Sequence, residues 1–86
     1  MYYLYIIECA DRTLYTGITK DLERRIFEHN ETKRGAKYTS SRRPIRLVFF
    51  QKFEKRYLAM REEYRIKQLR KAQKVELIEE FRKISR

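Results

Sequence analysis

Tyr3-Leu4-Tyr5-Ile6-Ile7-Glu8-Cys9, followed after Ala10-Asp11-Arg12-Thr13 by Leu14-Tyr15-Thr16-Gly17-Ile18, is the stretch that decides the fold. Both runs are rich in β-branched and aromatic residues, and the mostly polar tetrad between them reads as a turn, so the pair forms a β-hairpin. Side chains alternate across a strand. Tyr3, Tyr5 and Ile7 therefore share one face, and Leu4, Ile6 and Glu8 the other. Gly17, near the end of the second strand, fits either a bulge or a place where another backbone or a ligand comes close.

Beyond the hairpin, Thr19 or Asp21 caps a helix that carries Leu22, Ile26 and Phe27 and runs to about Asn30. On it Arg25 and His29 are four residues apart and share a face. Residues 31–44 show no apolar periodicity, and Gly35, Ser40, Ser41 and Pro44 mark a loop with one aromatic, Tyr38. A loop of that length in so small a domain tends to be functional or mobile. Ile45–Phe53, with Leu47, Val48, Phe49 and Phe50 in succession, reads as a strand buried on both faces and therefore central.

From about Glu54 onward there is neither Gly nor Pro, and a helical pattern persists too long for one globular helix, which places a break near Arg70–Gln73. The first piece gathers Leu58, Ala59, Ile66 and Leu69 on one arc, with Glu62 inside it and Glu63 on its shoulder toward Lys67. The second gathers Val75, Ile78 and Phe81, with Leu77 or Ile84 at the edge. The expected fold is α+β: a three-stranded antiparallel sheet flanked by helices, in the order β-β-α-loop-β-α-α, as a single domain over residues 1–86.

Composition narrows the function classes. The chain has 86 residues, 42% hydrophobic and 40% charged, with a net charge of +10. Its apolar content, with only two Gly and one Pro, excludes a disordered basic tail. The single Cys9 excludes an intramolecular disulfide, and with the single His it excludes a four-ligand zinc site; Cys9 reads as a buried strand residue in a reducing cytoplasm. No stretch approaches the ~20 apolar residues of a membrane span. Residues 1–30 carry 4 basic and 5 acidic side chains, residues 31–56 carry 9 and 2, and residues 57–86 carry 9 and 5. The excess in the middle segment, with Lys33, Arg34, Lys37, Arg42, Arg43 and Arg46 around Tyr38, is the footprint of a nucleic-acid-binding surface.

Taken in order, Tyr3-Leu4-Tyr5, Tyr15-Thr16-Gly17, Arg25 with His29, and Glu63-Tyr64-Arg65-Ile66-Lys67 resemble the GIY-YIG nuclease superfamily, in particular its small stand-alone bacterial members. The resemblance extends through Gly35-Ala36-Lys37-Tyr38 and Arg43-Pro44-Ile45-Arg46-Leu47-Val48 and spans nearly the whole chain. Tyr3 replaces the glycine of the first motif half and Thr16 the isoleucine of the second; neither position supplies a catalytic side chain in the family.

The resemblance implies a phosphodiesterase of DNA, selective for branched, flapped or distorted substrates and dependent on one Mg²⁺ or Mn²⁺ ion held by Glu63. It implies that Tyr5, Tyr15 or His29 removes the proton of the attacking water. Tyrosine, with its pKa near ~10, serves as a base only if a neighbouring cation lowers that value. Arg25 offers a fork of donors to the phosphate. The alternative from a different class is a basic nucleic-acid-binding module of the same fold that does not turn over.

Overall fold

The computed structural model describes residues 1–84. Strand β1 (Tyr2–Glu8) lies at the centre of a three-stranded antiparallel sheet, between β2 (Leu14–Thr19) and β3 (Arg46–Phe53). Leu4, Tyr5, Ile6 and Ile7 are buried on both faces of β1. Helix α1 (Leu22–Glu31) and the single turn α2 (Lys37–Ser40) connect β2 to β3, and α3 (Arg56–Lys67) and α4 (Lys71–Ile84) follow.

The expected α+β order is observed, with two corrections. The strand from Ile45 is an edge strand, and the central place belongs to β1. The consecutive apolar residues of β3 arise instead from a bulge: Ile6 pairs with Phe49 but Ile7 pairs with Leu47. Val48 is the extra residue, so Val48 and Phe49 both serve one side of the sheet while Leu47 and Phe50 serve the other. The second correction is α2, a helical turn inside the segment read as loop.

The two sheet faces build separate cores. Tyr5, Ile7, Cys9 and Ile45 pack with Tyr15, Leu22 and Ile26 on the α1 side. Leu4, Ile6 and Ile66 pack with Leu69, Leu77 and Ile78 on the α3 and α4 side. Phe81 closes α4 over Phe49 and Phe50. Val75, expected within the α4 stripe, and Ile84, offered with Leu77 for its edge, are exposed, because α4 packs chiefly along the edge strand β3.

Two polar clamps hold α1 to the start of β3. Asn30 Nδ2 donates to the Ile45 carbonyl at 3.0 Å, and the Ile45 N–H donates to Asn30 Oδ1 at 2.7 Å, as a neighbouring strand would. Arg43 donates from Nε to the His29 carbonyl at 2.7 Å and from Nη2 to the Thr32 carbonyl, satisfying acceptors that the end of α1 leaves open.

Thr16 is buried on the α3 side of β2, and its hydroxyl has no hydrogen-bond partner among the described residues. A buried hydroxyl without a partner destabilises the fold, by about 1–2 kcal/mol on protein scales. Thr16→Val should therefore raise the thermal midpoint by roughly 4–8 °C for each kcal/mol recovered. A midpoint at or below that of the wild type in differential scanning calorimetry would show that the hydroxyl is satisfied in solution.

Candidate active site

Asp21 starts α1 by accepting the Arg24 N–H at 3.1 Å, and Leu22 and Ile26 anchor the helix on the Tyr5 side of the sheet. One turn beyond Ile26, the same inward face carries His29, which is fully buried. Its Nε2 lies 2.9 Å from the Tyr5 hydroxyl, and its Nδ1 lies 2.9 Å from Oγ1 of Thr39, which is also fully buried. The Thr39 hydroxyl spends its only proton on the Ala36 carbonyl, at 2.9 Å. Oγ1 is thus the acceptor for Nδ1–H, which leaves Nε2 to accept the proton of Tyr5. The Ala36 N–H also approaches Nδ1, but at 3.4 Å, beyond the ordinary hydrogen-bond length.

Both glycines make this geometry possible. Tyr5 pairs with Gly17 across the hairpin, and a Cβ at Gly17 would fall 2.5 Å from the Tyr5 hydroxyl oxygen. Gly17 thus marks neither a bulge nor the approach of a backbone or ligand: the Tyr5 phenol lies where its side chain would be. A Cβ at Gly35 would sit 2.8 Å from both the Glu28 carbonyl oxygen and the Cα of His29, so only glycine lets α2 close over the imidazole.

Tyr15 meets His29 edge to face, with centroids 5.4 Å apart. Tyr38 stacks on Tyr15 at 6.0 Å, and the Arg42 guanidinium caps Tyr38 at 4.1 Å. Arg25, half-buried one turn before His29, donates from Nη1 to Glu28 at 3.0 Å and to the Arg34 carbonyl at 2.8 Å. α3 packs on β1 and β2, and from it the half-buried Glu63 pairs with Lys67 at 3.3 Å. Glu62 is engaged by Arg65 through bonds of 2.9 and 2.6 Å.

Electrostatics divide the roles. Burial pushes the Tyr5 phenol above its ordinary value; the Arg25 guanidinium opposes that, and the charges of Tyr15 and Glu63 add to it. Tyr5 is therefore a protonated donor at neutral pH, and no cation pulls it into the range of a free-standing base. Burial likewise lowers His29 to about 4, reinforced by Arg25 and Arg43 and opposed by Glu28. The imidazole is neutral, so its position at the end of α1 does not make it a dipole-stabilising cation.

Tyr5, Tyr15, Arg25 and His29 thus come together, and Glu63 lies close enough for its charge to be felt at Tyr5. The basic set disperses. Arg43 serves the end of α1. Arg42 donates to Asp11 at 3.0 Å and to the Tyr38 carbonyl at 2.8 Å, and Arg46 pairs with Glu8 at 2.7 Å. Lys33, Arg34 and Lys37 stand exposed on the connection between α1 and β3. Sequence reasoning missed Thr39, which sits in a segment without periodicity and has no local signal of an imidazole partner. Among the described residues no three His, Cys, Asp or Glu side chains gather into a metal-holding set, so Glu63 offers one carboxylate. A separate groove lies between α4 and the sheet, where Arg12, Leu14, Lys71 and Ile78 line it and no candidate catalytic residue does.

The family model described as the GIY-YIG catalytic domain matches residues 1–76. The chain belongs to the GIY-YIG family. Within that family it is similar to small proteins named UPF0213. One from Halobacterium salinarum is 53% identical over 74 residues, covering 86% of this chain and 95% of that one. Another, from Syntrophus aciditrophicus, is 46% identical, covering 91% and 90%. The solution NMR structure of a UPF0213 protein from Bacillus halodurans superposes with a TM-score of 0.59 at 45% identity, covering 92% of this chain and 84% of that one. The GIY-YIG domain is of nuclease type, and the tyrosines of both halves of its name face His29 here.

Nitrogen NMR of His29 should report the Nδ1–H tautomer in the wild type. Thr39→Ser should keep it and Thr39→Val should lose it; an Nε2–H tautomer in the wild type would reverse the assigned direction of the Tyr5 bond. His29 also couples stability to pH. Its folded pKa lies below the unfolded value of about 6.5, so its neutral form stabilises the fold fully above that pH, and the contribution is lost as pH falls toward 4. Urea midpoints should drop between pH 7 and 4.5 more steeply for wild type than for His29→Gln, by an amount of order 2 kcal/mol. Equal slopes would place the imidazole outside the buried network.

Proposed function

We propose that this GIY-YIG domain hydrolyses phosphodiester bonds in DNA, with a divalent metal ion and with selectivity for irregular substrates over base sequence. The observation that carries the reading is the 2.9 Å bond from the Tyr5 hydroxyl to a neutral, buried His29, beside Arg25. As water attacks phosphorus its proton needs an acceptor. Tyr5 can take that proton while passing its own to Nε2, which is empty because Thr39 holds the other nitrogen as N–H. The proton goes to an imidazole, so the phenol need never ionise in the resting protein.

Both Arg25 bonds run through Nη1, so the remaining guanidinium nitrogens are available to the phenol and to phosphate oxygens as negative charge builds. The donor set fits Mg²⁺ or Mn²⁺ only as a site completed by substrate, because such ions are commonly held by one or two carboxylates plus phosphate and water. Glu63 would hold the ion after releasing Lys67, and the bound ion would stabilise the leaving oxygen. Selectivity for shape follows from size. The exposed Lys33, Arg34 and Lys37 would contact phosphate backbone, which fixes register without reading sequence.

The pairing of Glu63 with Lys67 favours one second reading, a module that binds DNA without cutting it. Supercoiled, flapped and branched DNA incubated with Mg²⁺ or Mn²⁺ separates the two. Cleavage should fall by about 10²-fold or more in Tyr5→Phe, Arg25→Ala and Glu63→Gln proteins shown to be folded. Product unchanged in all three would trace to a contaminant. No product from wild type, with salt-sensitive binding retained, would establish the binding module.

A further inference from the structure

Helix α3 uses Ala59 and Ile66 to pack on the sheet, yet its outward face is not the usual solvated mixture. Tyr57 and Tyr64 are 65% and 70% exposed, and Met60 between them is 45% exposed. At 100° per residue these three share one face with Arg61, and Arg56 and Lys67 lie between that face and Glu63. Both carboxylates of α3, Glu62 and Glu63, lie at the margins of its buried side, so the outward arc is aromatic and uniformly cationic.

We propose that this face of α3 is a stacking platform for an unpaired nucleic-acid strand leading away from the scissile phosphate. Aromatic rings set among cations are the means by which proteins hold single strands without reading sequence. The spacing selects the single strand: seven residues of helix separate Tyr57 from Tyr64 by about 10 Å, roughly three times the 3.4 Å base step of a duplex strand. Only a strand whose bases are unstacked can lay one on each ring. Like charges oppose the other simple occupant, a second copy of the chain, because an isologous contact would set this cationic face against itself. The proposal rests on the nucleic-acid reading of the neighbouring site. It differs from the exposed cations of the α1–β3 connection, whose aromatic, Tyr38, is already stacked on Tyr15 and capped by Arg42.

The chain contains no Trp, so Tyr64→Trp gives a single reporter at a position exposed enough to accept it. Without metal, a dT oligonucleotide should quench its fluorescence saturably, and a duplex of equal length at the same salt should not. Tyr57→Ala and Tyr64→Ala should each weaken dT binding about ten-fold while leaving Tm and duplex affinity unchanged. Equal quenching by duplex, or undiminished dT affinity in the double variant, overturns the platform. So does stronger quenching by anionic vesicles, which would assign the face to a membrane, or a concentration-dependent dimer abolished by Tyr64→Ala. The two readings fail separately: cleavage with normal dT binding by the double variant removes only the platform, and platform binding without cleavage removes only the nuclease.

Discussion

Burying one imidazole is the constraint on which the rest of this small protein depends. A histidine sealed from water must be neutral, and each ring nitrogen needs a partner of the right sense. Tyr5 supplies a proton to one side and Thr39 an acceptor to the other. Those partners impose further conditions. Tyr5 can point at His29 only if Gly17 has no side chain, and Thr39 can reach it only if Gly35 lets the chain press on α1. Asn30 and Arg43 then fix the end of α1 to the start of β3, which closes the connection carrying Thr39. Residues that look unrelated along the chain are thus linked through one hydrogen-bonded ring.

How far this could be read from sequence follows from the range of each interaction. The hairpin, the capped α1 and the break between α3 and α4 depend on neighbours a few residues apart, and local periodicity reveals them. The shared face of Arg25 and His29 is equally local. The central position of β1 was hidden because the bulge at Val48 makes an edge strand look buried on both sides, and a bulge is decided by the partner strand. Thr39 was hidden for the same kind of reason: its role depends on where His29 sits, ten residues away in another element.

The positive charge separates into two uses that a count merges. Arg42 and Arg43 occupy backbone carbonyls and a carboxylate, where a planar fork of donors can satisfy several acceptors at once. Their removal would be felt first as lost structure. Lys33, Arg34 and Lys37 reach into solvent, where charge acts through long-range attraction to a polyanion.

The two layers of the fold also divide the proposed chemistry. The proton path of Tyr5, His29 and Thr39 lies within the α1 side of the sheet, where burial keeps the phenol protonated and the imidazole neutral. Glu63 comes from α3, which crosses β1 and β2 from the opposite layer. Proton acceptance benefits from a dry, preorganised interior, whereas a carboxylate that shares an ion with substrate must remain at the rim and exchange its lysine partner for that ion. Placing the two proposed functions on opposite layers of one sheet keeps the proton path sheltered and leaves the carboxylate accessible.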